Sequence, residues 1–128
     1  MMTKDLNTLL EVAREAAKQA YAPYSGYKVG SAVKCADGSI YSGCNVENAS
    51  FSLSICAERT AIFKAVSEGK RDFTAIAIYV DSDKIFPPCG ACRQVIHEFS
   101  PKIPVIYANH HETIESTIAE LLPGAFSL

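Results

Sequence analysis

Phe73-Thr74-Ala75-Ile76-Ala77-Ile78-Tyr79-Val80 and Pro87-Pro88-Cys89-Gly90-Ala91-Cys92-Arg93-Gln94-Val95-Ile96-His97-Glu98-Phe99 decide the fold of this chain. The first segment is apolar and β-branched, the pattern of a buried strand. Pro87-Pro88 marks a turn, a helix follows from about Cys89 to Phe99, and Pro101 halts it. Pro104 to Ala108 then reads as a short strand. Working outward, residues 56–67 form a second helical stretch with Gly69 near its stop, and Ile114 to Thr117 another strand before a helical turn through Leu122. Leu6, Leu9, Leu10, Ala13, Ala16, Ala17 and Ala20 recur at helical spacing, predicting an amphipathic helix over 4–21 broken by Ala22-Pro23-Tyr24-Ser25-Gly26. Val29–Lys34 and Ile40–Cys44 read as a hairpin around Asp37-Gly38, pairing residue 35 with about 40 and 44 with about 31. Residues 45–55 carry no clear pattern. Strands alternating with helices predict one sheet covered by helices.

The chain has 128 residues and is read as one domain spanning 1–128. Its hydrophobic fraction of 48% and charged fraction of 20% are those of an ordinary globular protein. A net charge of -2 and no basic run longer than Lys70-Arg71 argue against nucleic acid as a partner. The longest apolar run, Ala75 to Val80, is far too short for a membrane span, and Met1 to Leu6 contain nothing like a signal peptide. Asn48-Ala49-Ser50 fits a glycosylation sequon but has no secretory context. Three of the five cysteines are better explained by metal than by disulfides, so the expected location is the cytoplasm.

Those three thiols carry the chemistry. Cys89 and Cys92 share a face at the start of a helix, and Cys56 opens the other one. Three thiolates hold a tetrahedral zinc ion and leave one position open, as a catalytic site requires. Glu58, two residues from Cys56, suits proton transfer for a metal-activated water. Two residues are roughly 200° of helix, so the two side chains converge only if Cys56 sits on an irregular first turn. Three thiolates leave a zinc site net negative, which opposes ionising a water. The two helix N-termini and Arg59, three residues after Cys56, offset that charge, with Arg93 a second candidate. The alternative is a structural zinc with a fourth ligand from Cys35, Cys44, His97, His110 or His111, and Glu58 as a first-turn acid facing the helix dipole. Cys35 and Cys44 do not oppose one another and are read as small buried apolar residues.

Beyond the zinc pattern, Tyr21-Ala22-Pro23-Tyr24-Ser25, Asn45-Val46-Glu47-Asn48, Cys56-Ala57-Glu58-Arg59-Thr60-Ala61 and Leu121-Leu122-Pro123-Gly124-Ala125-Phe126 stand in the chain. With them it resembles, over nearly its whole length, the cytidine deaminases of the short homotetrameric kind. The resemblance implies an α/β fold, a three-layer α/β/α sandwich around a five-stranded mixed sheet. It implies one Zn²⁺ per chain on Cys56, Cys89 and Cys92, with Glu58 shuttling protons. The implied reaction is hydrolytic deamination of cytidine and 2′-deoxycytidine to uridine and 2′-deoxyuridine with release of ammonia, a step of pyrimidine salvage. Asn45 and Glu47 would bind the ribose, in a loop running to Phe51, and Tyr27 would stack on the pyrimidine. Phe126 would reach the base in a neighbouring subunit's site, giving a homotetramer with composite active sites. The residue chemistry agrees on one point independently: Asn45 and Glu47, two apart, face the same side of an extended segment and both can engage hydroxyls.

Overall fold

The strand over 73–80 lies at the centre of the sheet, and both its faces are covered. The computed structural model describes residues 4–128. In chain order the elements are α1 (Lys4–Ala17), β1 (Val29–Cys35), β2 (Ile40–Cys44), a 3₁₀ turn (Phe51–Leu53), α2 (Ala57–Ser67), β3 (Phe73–Val80), α3 (Gly90–Phe99), β4 (Pro104–Ala108), β5 (Thr113–Thr117) and α4 (Ile118–Leu121). The five strands run in the order β2-β1-β3-β4-β5, with β3 and β4 parallel and the other neighbours antiparallel. The parallel pair needs a crossover, and α3 supplies it.

Alternation along β3 divides the core in two. Ala75, Ala77 and Tyr79 point to one face, where they pack with Leu9, Ala13 and Ala17 of α1. Ile76 and Ile78 point to the other, against Ala61, Ile62 and Ala65 of α2, Ile96 of α3 and Ile118 of α4. This is the expected three-layer arrangement of the mixed five-stranded sheet. Each fully buried isoleucine contributes about 1.5–3 kcal/mol of apolar burial. The α1 face is lined with small residues, so the helix lies close to the strands. At Gly30 a Cβ would come within 1.9 Å of the Ala13 carbonyl oxygen, so only glycine permits that approach.

Three local expectations change. First, α1 ends at Ala17 instead of running to 21. A tight turn carries the chain to Tyr21, whose N–H donates to the Asn45 carbonyl and whose carbonyl accepts from Glu47 N–H. A pairing 24 residues away overrides the helical spacing of Ala20. Second, the hairpin register is one residue off: Lys34 faces Ile40 and Gly30 faces Cys44. Of this pair Gly38 alone has a positive φ, of 90°, so Asp37-Gly38 is not a two-residue turn with both positions left-handed. The loop takes three residues, 36–38, closed by Cys35 N–H to Ser39 O at 2.8 Å. Asp37 instead accepts from Ser39 N–H at 3.0 Å and pairs with Lys70 at 2.6 Å. Third, Cys44 is only half-buried, because β2 is an edge strand; Cys35 is buried as expected. Among the described residues no helix is long and apolar enough to cross a membrane.

Candidate metal centre and active site

Both cysteines expected to open helices lie one position outside them. Cys56 is the N-cap of α2 (φ -77°, ψ 155°) and Cys89 the N-cap of α3 (φ -66°, ψ 166°). Each carbonyl starts its helix, accepting from Thr60 N–H at 3.1 Å and Arg93 N–H at 2.9 Å. Neither side chain caps its helix, so both sulfurs are free to turn outward toward each other. Extended backbone at Cys56 also answers the geometric demand on Glu58. The 200° separation holds only between two helical residues; with Cys56 outside the helix, it and Glu58 line the same cavity.

The three sulfurs of Cys56, Cys89 and Cys92 lie within 4.8 Å of one another, and Cys56 Sγ to Cys89 Sγ is 3.6 Å. Two sulfurs on a tetrahedral zinc at about 2.3 Å stand about 3.8 Å apart, so the donor set has the spacing that zinc requires. Arg59 Nη2 donates to Cys56 Sγ at 3.5 Å. Hydrogen bonds from the Cys92 thiol, Arg59 and Cys89 bring the Cys56 thiol down to about 5 against the opposing effect of burial. The Cys92 thiol is pushed up, first because it donates to Cys56 and then by burial and nearby negative charge. Without a cation the cluster therefore shares protons; a divalent ion lets all three sulfurs ionise together. The three cysteines fit zinc on this ground.

Glu58 is 4% exposed on the second residue of α2. Burial raises its carboxyl to about 7, and the adjacent Cys56 thiolate adds to the rise. A buried carboxyl poised near neutrality can take up and give back a proton.

The cavity above these groups has a volume of about 330 Å³. Its walls include Ser25, Tyr27, Val29, Asn45, Ile78, Val80, Phe86 and Pro87, with Cys56, Glu58 and Cys89 at its polar end. Tyr27 and Phe86 meet edge to face, with ring centroids 5.0 Å apart. The Asn45 side chain is tied to backbone on both sides: Oδ1 accepts from Val29 N–H at 2.9 Å and Nδ2 donates to Tyr27 O at 2.8 Å. Glu47 lies outside the cavity wall. Its carboxylate accepts from Tyr24 N–H at 2.9 Å and Ser25 N–H at 3.0 Å, and also bonds the Ser25 hydroxyl. Those bonds, led by the Ser25 hydroxyl, hold its carboxyl below the usual range.

The other expected residues are placed differently. Phe51 and Phe126 are 73% and 65% exposed, and neither lines the cavity of its own chain. Arg93 does not reach the sulfurs. Its Nε donates to Pro88 O and its Nη1 to Leu121 O, both at 2.7 Å, so it ties α3 to α4. Arg93, the second candidate for neutralising thiolate, therefore takes a structural role, bonding two backbone carbonyls. Phe86 and Ser25 were not foreseen as cavity residues. Phe86 had a signal available, an aromatic directly before the Pro-Pro-Cys turn.

The family model described as "Cytidine and deoxycytidylate deaminase zinc-binding region" matches residues 3–108. The chain belongs to this deaminase family. A cytidine deaminase of Sporosarcina psychrophila is 51% identical, over 96% of this chain and 92% of the relative. The crystal structure of cytidine deaminase from Burkholderia pseudomallei, 45% identical, superposes with a TM-score of 0.90 over 98% of this chain and all of that one. Blasticidin-S deaminase of Bacillus cereus is 34% identical over 90% of this chain and 87% of the relative. This deaminase therefore shares its fold with cytidine deaminases across nearly its full length, and the family's zinc-binding region spans residues 3–108, which include Cys56, Cys89 and Cys92.

Proposed function

We propose that the chain is a hydrolase that converts cytidine and 2′-deoxycytidine to the corresponding uridines with release of ammonia, a single catalytic domain over residues 1–128. One observation carries the reading: a buried carboxyl raised to about 7 stands beside three converging thiols, at the polar end of an apolar cavity. Cys56, Cys89 and Cys92 would hold the zinc ion, which when bound supplies a Lewis acid that makes water a nucleophile at neutral pH. Glu58 takes the proton released by that water. It passes this proton to N3 of the pyrimidine as C4 is attacked; it then takes the proton of the new C4 hydroxyl and hands it to the amino group, which leaves as ammonia while C4 becomes a carbonyl. Arg59 steadies the Cys56 thiolate. Tyr27 and Phe86 wall the cavity where a flat ring would stack.

The ribose is assigned to Asn45 and Glu47. The Asn45 amide keeps one lone pair and one N–H beyond its two backbone bonds. Glu47 would act from the cavity mouth, where it holds the 24–25 backbone. Phe51 would close the substrate loop that carries Asn45 and Glu47; Phe126, 65% exposed, would reach a base in a neighbouring copy's cavity, which supports a homotetramer with composite sites. The proposed location is the cytoplasm. A second reading, deamination of a nucleoside antibiotic, is favoured by the 34% identical blasticidin-S deaminase.

The test is loss of ultraviolet absorbance from cytidine, deoxycytidine and blasticidin S on adding zinc-loaded protein. Glu58→Gln is expected to keep zinc and lose about 10²–10⁴ in kcat. Wild-type turnover by that variant would overturn the assignment.

A further inference from the structure

A second group of metal-ligand side chains stands apart from the cysteines, where the loop after β3 meets the β4–β5 turn. His111 Nε2 lies 2.9 Å and His110 Nδ1 3.3 Å from the same oxygen, Asp83 Oδ1. All three ligand atoms lie within 4.8 Å of one another. On the far side of its ring, His110 Nε2 meets Asp81 Oδ1 at 2.5 Å. A proton on Nε2, held by Asp81, leaves the Nδ1 lone pair facing Asp83 and His111. A carboxylate behind a metal-binding imidazole is the usual support for such a ligand, fixing its tautomer and raising its basicity.

The two loops are also held in place without any ion. Asn109, 8% exposed, donates from Nδ2 to Asp83 O at 2.8 Å. Its Oδ1 accepts from His111 N–H and Glu112 N–H, both at 2.9 Å. His110 N–H donates to Ser82 O at 3.3 Å. The backbones bearing all the ligands are thus cross-linked by a nearly buried side chain, so the donors converge before any ion arrives.

From this convergence we propose that Asp83, His110 and His111 bind a second divalent transition-metal ion, with Asp81 as the positioning residue behind His110. Two imidazoles and one carboxylate select zinc, nickel or cobalt over magnesium or calcium. The exposed side chains, 67% and 81% for His111 and Asp83, leave the remaining coordination positions to water. The site matters for the cavity because residues 81–84 lead directly to Phe86. Lys84 Nζ sits 5.9 Å from the Tyr27 ring centroid, and the Phe86 ring meets that ring edge to face. An ion here ties the loop that carries one aromatic wall to the β4–β5 turn. The inference does not rest on the proposed reaction.

The experiment uses full-length protein already loaded with one equivalent of zinc and titrated calorimetrically with Ni²⁺. One further equivalent should bind, and the ring proton signals of His110 and His111 should broaden while those of His97, on α3, stay sharp. His111→Ala should weaken nickel binding at least tenfold. Asp81→Asn, which removes no ligand, should weaken it about tenfold. Both variants should deaminate at the wild-type rate. The proposal is overturned if no second equivalent binds at millimolar nickel, if both variants bind nickel as the wild type does, or if His97 broadens equally.

Discussion

Replacing Asn45 with alanine tests whether one side chain holds the floor of the cavity to its wall. The Asn45 amide makes two hydrogen bonds to backbone, to Val29 N–H at 2.9 Å and Tyr27 O at 2.8 Å, and the residue is 9% exposed. Each bond contributes about 1 kcal/mol net, and leaving a half-buried N–H unpaired costs roughly 1–3 kcal/mol more. Asn45→Ala should therefore destabilise the protein by at least about 3 kcal/mol. For a domain of this size that lowers Tm by about 10–15 °C. Tyr27 loses its anchor in the same step, so KM for cytidine should rise even though Glu58 and the thiols are untouched. Asn45→Asp separates the two bonds. It retains the acceptor for Val29 N–H but turns an oxygen toward the Tyr27 carbonyl. The aspartate needs a proton to restore that bond, so its stability deficit should narrow as pH falls. Thermal melts with zinc present, alongside steady-state kinetics, provide the readout. A Tm within 2 °C of wild type for Asn45→Ala would refute the claim that this amide frames the site.

Chelation should act on stability as well as turnover, because an ion that binds only the folded state stabilises it by mass action. Removing zinc, or making Cys92→Ala, should lower Tm and abolish deamination together; an unchanged melt would separate the thiols from the metal. At Gly30 a Cβ would lie 1.9 Å from Ala13 O and 2.5 Å from Ala17 N. Gly30→Ala must push α1 off the sheet, at a cost of about 3 kcal/mol or more, read as a lowered midpoint in urea. The His110 imidazole is raised above its usual value by Asp81 first and then Asp83. Asp83 is lowered by both histidines, His111 first. The histidine's contribution is full below about pH 6.5 and lost as pH rises through its folded value; the aspartate's is full above about pH 4 and lost as pH falls. In protein loaded only with zinc, the Tm difference between wild type and His110→Gln should peak between those limits. A flat difference from pH 5 to 9 would contradict this.

Much of the site was legible because its signals are local. The spacing of Cys89 and Cys92, the placing of Cys56 ahead of a helix and the position of Glu58 two residues on are properties of adjacent residues. Capping, strand patterning and proline stops act over a few positions, so the element order followed from them too. The apolar β-branched run at 73–80 became the central strand because only a strand covered on both faces buries such a run without exposing apolar surface.

What remained hidden depends on partners distant along the chain. The periodicity of α1 extends to Ala20, but pairing of Tyr21 with the 45–47 segment ends the helix earlier. The Asp-Gly pair signals a turn, while the register depends on how many residues the loop takes up. Arg93 stands at the right interval from Cys89, yet it donates to the carbonyls of Pro88 and Leu121 instead. Asn45 has the chemistry of a sugar ligand, and only the folded chain shows its amide holding Tyr27 and Val29. Asp81 and Asp83 lie in one polar stretch and His110 and His111 in another, and nothing local joins the two. The parallel pairing of β3 with β4 brings their loops together. The sequence by itself determined which side chains the chain offers for the proposed chemistry and where along it they stand, since side-chain type and helix position are local. Tertiary structure alone decided which way those side chains turn and what they touch, because direction and contact are set by packing between elements far apart in the chain.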